Sequence, residues 1–296
     1  MCVFFVLVHL MRGKESHVLL EAIGIFHTSR SHQRERSTVF HLLHQSLWKM
    51  LVTFLGTNGW YDTHTGNTCS VLVQSEDYNV ILDAGCGIAK ADRYLDQELP
   101  TFLFISHCHL DHITGLHTLN KFRFSHPLHI CGQKGISQEL HSIVREPFTV
   151  PFDQLPFPVS FTELDEGSHE IPFPIECRPL VHTAPCFGYA LTLDGKKIAY
   201  CTDTGFCANA VALGRDADLL ITECGLKPGK ESPEWPHLNP GDAIRIAREA
   251  RAKRLALNHF AAHTYTTLEE RFEIESMYKG ECPGLVAAID GLSIKI

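Results

Sequence analysis

At 296 residues, with 44% hydrophobic and 20% charged side chains, the chain can bury a large core as one large domain or two small ones, and disordered or fibrous classes are excluded. No run of 18 apolar residues occurs in it, which rules out an ordinary membrane span. The formal net charge of −8 argues against indiscriminate binding to a phosphate backbone. Eleven cysteines, an odd number with no C-x-x-C pair, read as reduced thiols of a cytoplasmic protein, not as a zinc ribbon or a thioredoxin-like redox motif.

Residues 1–49 differ from the remainder. They hold no Pro, Asn or Asp, while all fifteen prolines lie beyond them. Six basic residues against three glutamates give this segment +3 and leave −11 for residues 50–296. Its apolar opening has no basic residue before it and no small-residue cleavage site after it, so it does not read as a secretion signal. The expectation is an atypical, weakly ordered N-terminal extension ahead of a domain over residues 50–296.

From Met50 onward, Leu51–Leu55 reads as a strand ending in the turn Gly56-Thr-Asn-Gly59, and Thr68–Gln74 and Asn79–Leu82 as two more. Asp83-Ala-Gly-Cys-Gly87 leads into a predicted helix over Ile88–Glu98. Thr101–Ser106 is a nearly continuous apolar run, as expected of a strand buried on both faces. Helices follow near Thr114–Phe122 and Gly135–Arg145, with a strand at Leu128–Cys131 between them. Pro147, Pro151, Pro156 and Pro158 impose an extended connection, since each fixes φ and removes a donor. Strands are then expected at Ile175–Val181, Phe187–Leu193, Ile198–Cys201, Asp218–Thr222, Arg254–Asn258 and Leu285–Ile289. The Asp194-Gly195 turn marks a hairpin, and helices span Pro240–Arg251 and Thr267–Tyr278. Strands then helices, twice over, suggest two packed sheets with helices outside.

The chemistry begins where the buried strand ends, at His107-Cys-His-Leu-Asp-His112. Side chains two apart on extended backbone point the same way, so His107 and His109 can reach one ion; the following turn brings Asp111 and His112 to a neighbouring position. Four ligand-type residues in six positions imply two adjacent cations, the alternative being a merely polar, histidine-rich turn.

With this motif the chain resembles the metallo-β-lactamase superfamily, from about Met50 to the C-terminus. The resemblance implies an α/β (α+β) fold, the four-layer αββα sandwich, with metal ligands on loops at one sheet edge. The family's later ligands have counterparts in His182 of Pro179-Leu-Val-His-Thr, Asp203 of Tyr200-Cys-Thr-Asp-Thr-Gly and His259 of Leu257-Asn-His-Phe. By that resemblance His107, His109 and His182 hold one ion, Asp111, His112 and His259 hold the other, and Asp203 bridges them. True zinc β-lactamases commonly place Cys at the point of Asp203, so antibiotic hydrolysis is disfavoured. Asp83 of Leu82-Asp-Ala-Gly resembles a buried aspartate that supports the ligand loop, a plain turn aspartate being the alternative.

Two further stretches are similar to ribonuclease Z, the tRNA 3′-processing endonuclease, and to the cyclic-ribose phosphodiesterase of phosphonate pathways. Leu220-Ile-Thr-Glu-Cys-Gly225 resembles the segment whose Glu assists catalysis, and Trp235-Pro-His-Leu-Asn-Pro240 the segment whose His donates a proton. Phe187-Gly-Tyr189 after His182, and Phe54-Leu-Gly-Thr57, fit as well. Catalytic roles therefore fall to Glu223 and His237, with Asp111 beside the metals; a helix cap or a plain surface histidine is the competing role for His237. The interval from Gly188 to Asp203 is only long enough for a hairpin, where ribonuclease Z often carries its tRNA-clamping arm. The stretch after His259, Phe-Ala-Ala-His263, lacks the Ser-Ser-Arg-Tyr-like continuation of that family. The N-terminal cysteine cluster of the phosphonate-pathway enzyme is missing too.

The expected function is a dinuclear metal-dependent hydrolase, a phosphodiesterase using a metal-bridging hydroxide. The alternatives are a tRNA 3′-processing endoribonuclease, a thioester or lactone hydrolase, and a non-catalytic metal-binding scaffold. Two divalent metal ions are expected as cofactors, Zn²⁺ first, with Mn²⁺ or Fe²⁺ suiting the same ligands. The expected partner is a small anionic or nucleotide-like diester; tRNA is disfavoured, no membrane partner is expected, and a homodimer stays open. Lys227, Lys230 and Arg215 lie near the acid segments, where they either attract an anion or are ordinary surface charges.

Overall fold

Strand Thr101–Ile105 divides its side chains between two cores, and that division sets the layers. Phe102 and Phe104 face one buried cluster, Leu103 and Ile105 another, as the two-residue period of an extended chain requires. The computed structural model describes residues 50–296, so the expected extension over residues 1–49 lies outside the described residues. One sheet contains β1 (Leu51–Gly56), β3 (Ser70–Gln74), β4 (Asn79–Leu82), β5 (Thr101–Ile105), β6 (Leu128–Gln133), β7 (Val159–Leu164) and β15 (Ser293–Lys295). Their spatial order is β15-β1-β3-β4-β5-β6-β7. The other contains β8 (Gly167–Glu170), β9 (Pro174–Pro179), β10 (Phe187–Leu193), β11 (Lys196–Cys201), β12 (Leu219–Cys224), β13 (Leu255–Ala261) and β14 (Leu285–Ala287). It runs β14-β13-β12-β11-β10-β9-β8, and the short β2 (Asn58–Gly59) pairs with β13.

Between the sheets Phe54, Phe104, Phe173, Tyr189 and Tyr200 share one apolar cluster, each burial contributing about 1.5–3 kcal/mol. Outside the second sheet, Leu213, Ile244, Ala247 and Ile274 pack helices Ala208–Gly214, Pro240–Ala250 and Leu268–Tyr278 onto it. Outside the first, Ile88, Leu116, Ile136 and Leu140 do the same for the segments between its strands. The result is the expected four-layer αββα sandwich. β4 to β7 run parallel to one another, as do β11 to β14, so two sets of C-terminal strand ends are formed.

Several elements differ from the expectation. The predicted helices over Ile88–Glu98 and Thr114–Phe122 are 3₁₀ turns over Cys86–Arg93 and Thr114–Lys121. At their glycines these two segments approach the main chain too closely for a side chain: a Cβ on Gly115 would stand 2.1 Å from the Gly85 carbonyl oxygen. The proline-rich connection ends in β7, whose Val159-Ser-Phe-Thr-Glu-Leu pairs in parallel with β6. β8, with the sequence Gly-Ser-His-Glu, is a polar edge strand with no apolar signature to read. The helix at Ala208–Gly214 is short, and β15 has only three residues; both were unpredicted. The Asp194-Gly195 hairpin between β10 and β11 forms as predicted, with both turn residues at positive φ.

Candidate metal centre

Parallel strands put their C-terminal ends on one edge, where ligands of open α/β sheets usually sit. Asp83 follows β4, His107 to His112 follow β5, Asp203 follows β11, Glu223 sits near the end of β12, and His259 lies on β13. His182 comes in the loop after β9. Asp83, Asp203 and His259 hold φ of 60°, 49° and 46°. Asp and His tolerate this left-handed region better than most residues, and strain of about 1–3 kcal/mol per position is typically retained at functional sites.

Two groups of donors result. In the first, His182 Nε2 lies 3.2 Å from His109 Nδ1, and both His182 Nε2 and His107 Nε2 stand 3.8 Å from Asp203 Oδ2. In the second, His112 Nε2 and His259 Nε2 are 3.1 Å apart; Asp111 Oδ2 is 3.5 and 3.2 Å from them, and Asp203 Oδ1 3.2 and 3.1 Å. Asp203 thus turns one oxygen to each group. All seven residues expected as ligands converge.

The donors suit divalent cations on their own chemistry. His107 Nε2 is buried without a hydrogen-bond partner, a state that costs about 1–3 kcal/mol unless something else satisfies it. Burial, reinforced by the nearby His112, lowers His107 to about 2, and burial lowers His182 to about 4. Both are therefore neutral imidazoles at pH 7, the form that gives a lone pair to a metal. Around His112, burial opposes a charge, yet Asp203, Asp111 and Asp83 raise it well above its usual value. That surplus of carboxylate is what a cation neutralises. The set of imidazoles and carboxylates fits Zn²⁺, and Mn²⁺ or Fe²⁺ as well.

Asp83 is fully buried and does more than make a turn. Its Oδ2 is 2.8 Å from His112 Nδ1 and accepts from Tyr200 OH and Ser106 Oγ, both at 2.8 Å; Oδ1 accepts from Ser106 N–H at 2.7 Å. This fixes the ring of His112 with Nε2 toward the donor group.

Glu223 is fully buried beside the centre. It accepts from the main-chain N–H groups of Thr204 (2.6 Å) and Gly225 (3.1 Å) and meets Nδ1 of His237 at 2.8 and 2.9 Å. Burial alone would lower His237, but the Glu223 carboxylate outweighs it and raises the imidazole to about 9. One His237 nitrogen also lies within 4.8 Å of ligand atoms of Asp203 and His259. The competing helix-cap role belongs to Asn239, whose side chain accepts from Asp242 N–H.

Other residues of the site carry no sequence signal. The Trp60 N–H donates to Asp111 Oδ2 at 2.7 Å, a main-chain contact that composition cannot reveal. Gly59 precedes it because a Cβ there would stand 2.4 Å from the His259 ring. The loop is anchored by the fully buried Arg271, which donates to Thr57 Oγ1, Asn58 Oδ1 and Thr65 Oγ1 and lies over the Phe260 ring. Lys227 is engaged by Glu270 at 2.8 Å and by the Tyr265 ring, so it is no free anion receptor. None of the ten cysteines among the described residues is paired, and none of the described helices is long and apolar enough to cross a membrane.

A family model described as a beta-lactamase superfamily domain matches residues 78–260. The probable metallo-hydrolase YhfI of Bacillus subtilis (strain 168) is 26% identical over 244 residues, 78% of this chain and 95% of that protein. Its crystal structure, that of a metallo-β-lactamase fold protein, covers 84% of this chain and 100% of its own, with a TM-score of 0.70 at 23% identity. Ribonuclease Z of Acaryochloris marina (strain MBIC 11017) is 27% identical over 285 residues, 75% of this chain and 90% of that one. The crystal structure of human tRNase Z, short form, matches with a TM-score of 0.66 and 26% identity over 83% of this chain and 99% of its own. Sequence and fold agree, and the chain, similar to ribonuclease Z and to YhfI, belongs to the metallo-β-lactamase superfamily.

Proposed function

We propose that this metallo-β-lactamase-fold hydrolase is a phosphodiesterase working with two divalent cations on a small anionic or nucleotide-like diester. The observation that carries the reading is Asp203, with one oxygen facing each donor group, and the His237–Glu223 pair within reach of both. His107, His109 and His182 would hold one cation, and Asp111, His112 and His259 the other, with Asp203 common to both. Divalent cations held there supply hydroxide near neutral pH and neutralise charge on the phosphoryl oxygens.

The chain's own residues then handle the proton and the orientation. As the phosphorus–oxygen bond to the leaving group breaks, His237 gives its proton to the departing alkoxide, a step worth about 10²–10⁴-fold. Glu223 keeps that proton on His237 at neutral pH and fixes the ring, because its carboxylate is itself held by Thr204 and Gly225 N–H groups. Asp83 orients His112. Hydroxide adds to phosphorus, the alkoxide leaves as an alcohol, and a phosphomonoester remains.

Against tRNA as the preferred substrate stand the two-residue turn between β10 and β11, where no clamping arm fits, and the net −11 of residues 50–296. The names of the ribonuclease Z relatives favour it as the second reading. The ten unpaired thiols support a reducing, cytoplasmic setting. A screen of chromogenic esters, diesters and thioesters beside pre-tRNA, with metal analysis, tests the proposal. Diester cleavage that follows metal content is expected; turnover confined to thioesters, or pre-tRNA trimming faster than any small diester at physiological salt, would overturn it.

A further inference from the structure

The rim of the centre carries exposed apolar side chains in a chain whose formal net charge is −8. Of the eight large apolar side chains exposed among the described residues, Leu110, Val181 and Trp235 lie in segments that carry candidate ligands or His237, and Trp60 and Tyr61 follow Gly59, which sits against the His259 ring. Two are indoles. Trp60 is 66% exposed, next to Asp111, its ring edge-on to Tyr61 and His263 at 5.2 and 5.3 Å. Trp235 is 53% exposed, its ring parallel to His109 at 6.3 Å and two residues before His237. One indole therefore stands at each donor group.

The backbone of Trp60 separates what its main chain needs from what its ring does. Its φ is +76°, a region that Gly or Asn enters at lower cost than a bulky side chain. The N–H bond to Asp111 is open to any residue but proline. Neither the fold nor the ligand loop therefore asks for an indole here, and a strained, exposed tryptophan is left to be explained by its ring face. Both rings are more than half exposed, so each offers a face for stacking.

Resting on the phosphodiesterase reading, we propose that Trp60 and Trp235 are specificity residues that stack on the planar base of a nucleoside-type diester while its phosphate sits at the metal centre. The substrate class follows from the two surfaces together: a flat aromatic ring joined to a phosphodiester. Base–indole stacking of this kind is sequence-tolerant, so it selects for a base and not for one base.

The test compares thymidine 5′-p-nitrophenyl phosphate with methyl p-nitrophenyl phosphate, which share a leaving group and differ by the nucleoside, on the zinc-loaded full chain. The wild type should prefer the first in kcat/KM. Trp60→Asn and Trp235→Ala should each reduce that preference, by about 5- to 150-fold for a lost stacking contact. Trp60→Asn should keep its metal content and melting temperature, because Asn accepts the left-handed backbone. A wild type with no preference for the thymidine ester, or variants that retain it, would overturn the proposal. Calorimetry with dTMP and 2-deoxyribose 5-phosphate keeps the two ideas apart. If no diester is cleaved, the phosphodiesterase reading fails, and the stacking surface stands only if dTMP binds more tightly than the sugar phosphate and Trp60→Asn removes the difference. Equal affinities would overturn it.

Discussion

Both carboxylate oxygens of Glu223 lie on Nδ1 of His237, at 2.8 and 2.9 Å, so the histidine presents its other nitrogen as the end free to act. A buried carboxylate that also accepts two main-chain N–H groups is held in place and clamps the imidazole. The pair is built to keep a proton on the imidazole and to aim it.

His237→Ala should therefore leave the ions bound and slow cleavage of a diester with a poor alkoxide leaving group by about 10²–10⁴-fold. A nitrophenyl diester leaves without a proton and should lose much less. Equal losses on both esters would make His237 a residue that positions substrate, and loss of metal would make it part of the ligand set.

Elemental analysis of the reconstituted protein should find two ions per chain, because seven donor residues form two groups around Asp203. The double variant His109→Ala, Asp203→Ala removes a donor from each group and should bind one ion or fewer. Unchanged metal content in it would refute the ligand assignment.

Asp83→Asn should weaken metal affinity by about 10–100-fold without touching a ligand. The amide would face Tyr200 OH, Ser106 Oγ and His112 Nδ1 with a donor where the carboxylate now accepts. Competition with a chelator reads the affinity, and a value equal to wild type would reduce Asp83 to a turn residue.

Acid should act on helix Leu268–Tyr278 through Glu270. The Lys227 ammonium first, opposed by burial and helped by the main-chain N–H groups of Thr267 and Thr266, lowers this carboxyl from 4.5 to about 2. The folded value lies below the unfolded one, so the stabilisation is complete above pH 4.5 and is lost as pH falls toward 2. Glu270→Gln should flatten the melting-temperature decline in that window, and at neutral pH cost no more than about 1 kcal/mol, since the pair is only half-buried and Gln still fits a capping box. Parallel curves for wild type and variant would exclude the mechanism.

A chain beginning at Met50 should keep its melting temperature and its metal content, because the composition and charge break falls there. Scanning calorimetry decides. A large loss in either property would mean that the domain begins earlier.

Much of this candidate site was legible because its donor residues stand at strand ends, where an apolar run stops and His or Asp begins: His107 after Thr101–Ser106, Asp203 after Ile198–Cys201. Glu223 and His237 were singled out through resemblance, and their pairing across fourteen positions is tertiary. Trp60 was missed because its contact to Asp111 uses a backbone N–H, which every residue but proline owns. Arg271 was missed because a charged residue on a helix reads as solvated until the fold buries it under Thr57, Asn58 and Phe260. The 3₁₀ turns at Cys86–Arg93 and Thr114–Lys121 were read as helices because apolar spacing alone does not separate the two at that length.

The donors do not belong to one sheet. His107, His109, Asp111 and His112 hang from β5, whereas His182, Asp203 and His259 hang from the opposite sheet, and β2 crosses to hydrogen-bond with β13 at the same edge. The catalytic edge is thus also a seam between the two halves of the sandwich. Any slippage of one sheet over the other, even by a fraction of a residue, would pull both donor groups apart before it exposed much of the aromatic interior. Such a molecule gains sharpness of geometry from the same contacts that make it intolerant of breathing, and amide exchange along β5 and β13 should register the arrival of metal as a single coordinated slowing on both sheets.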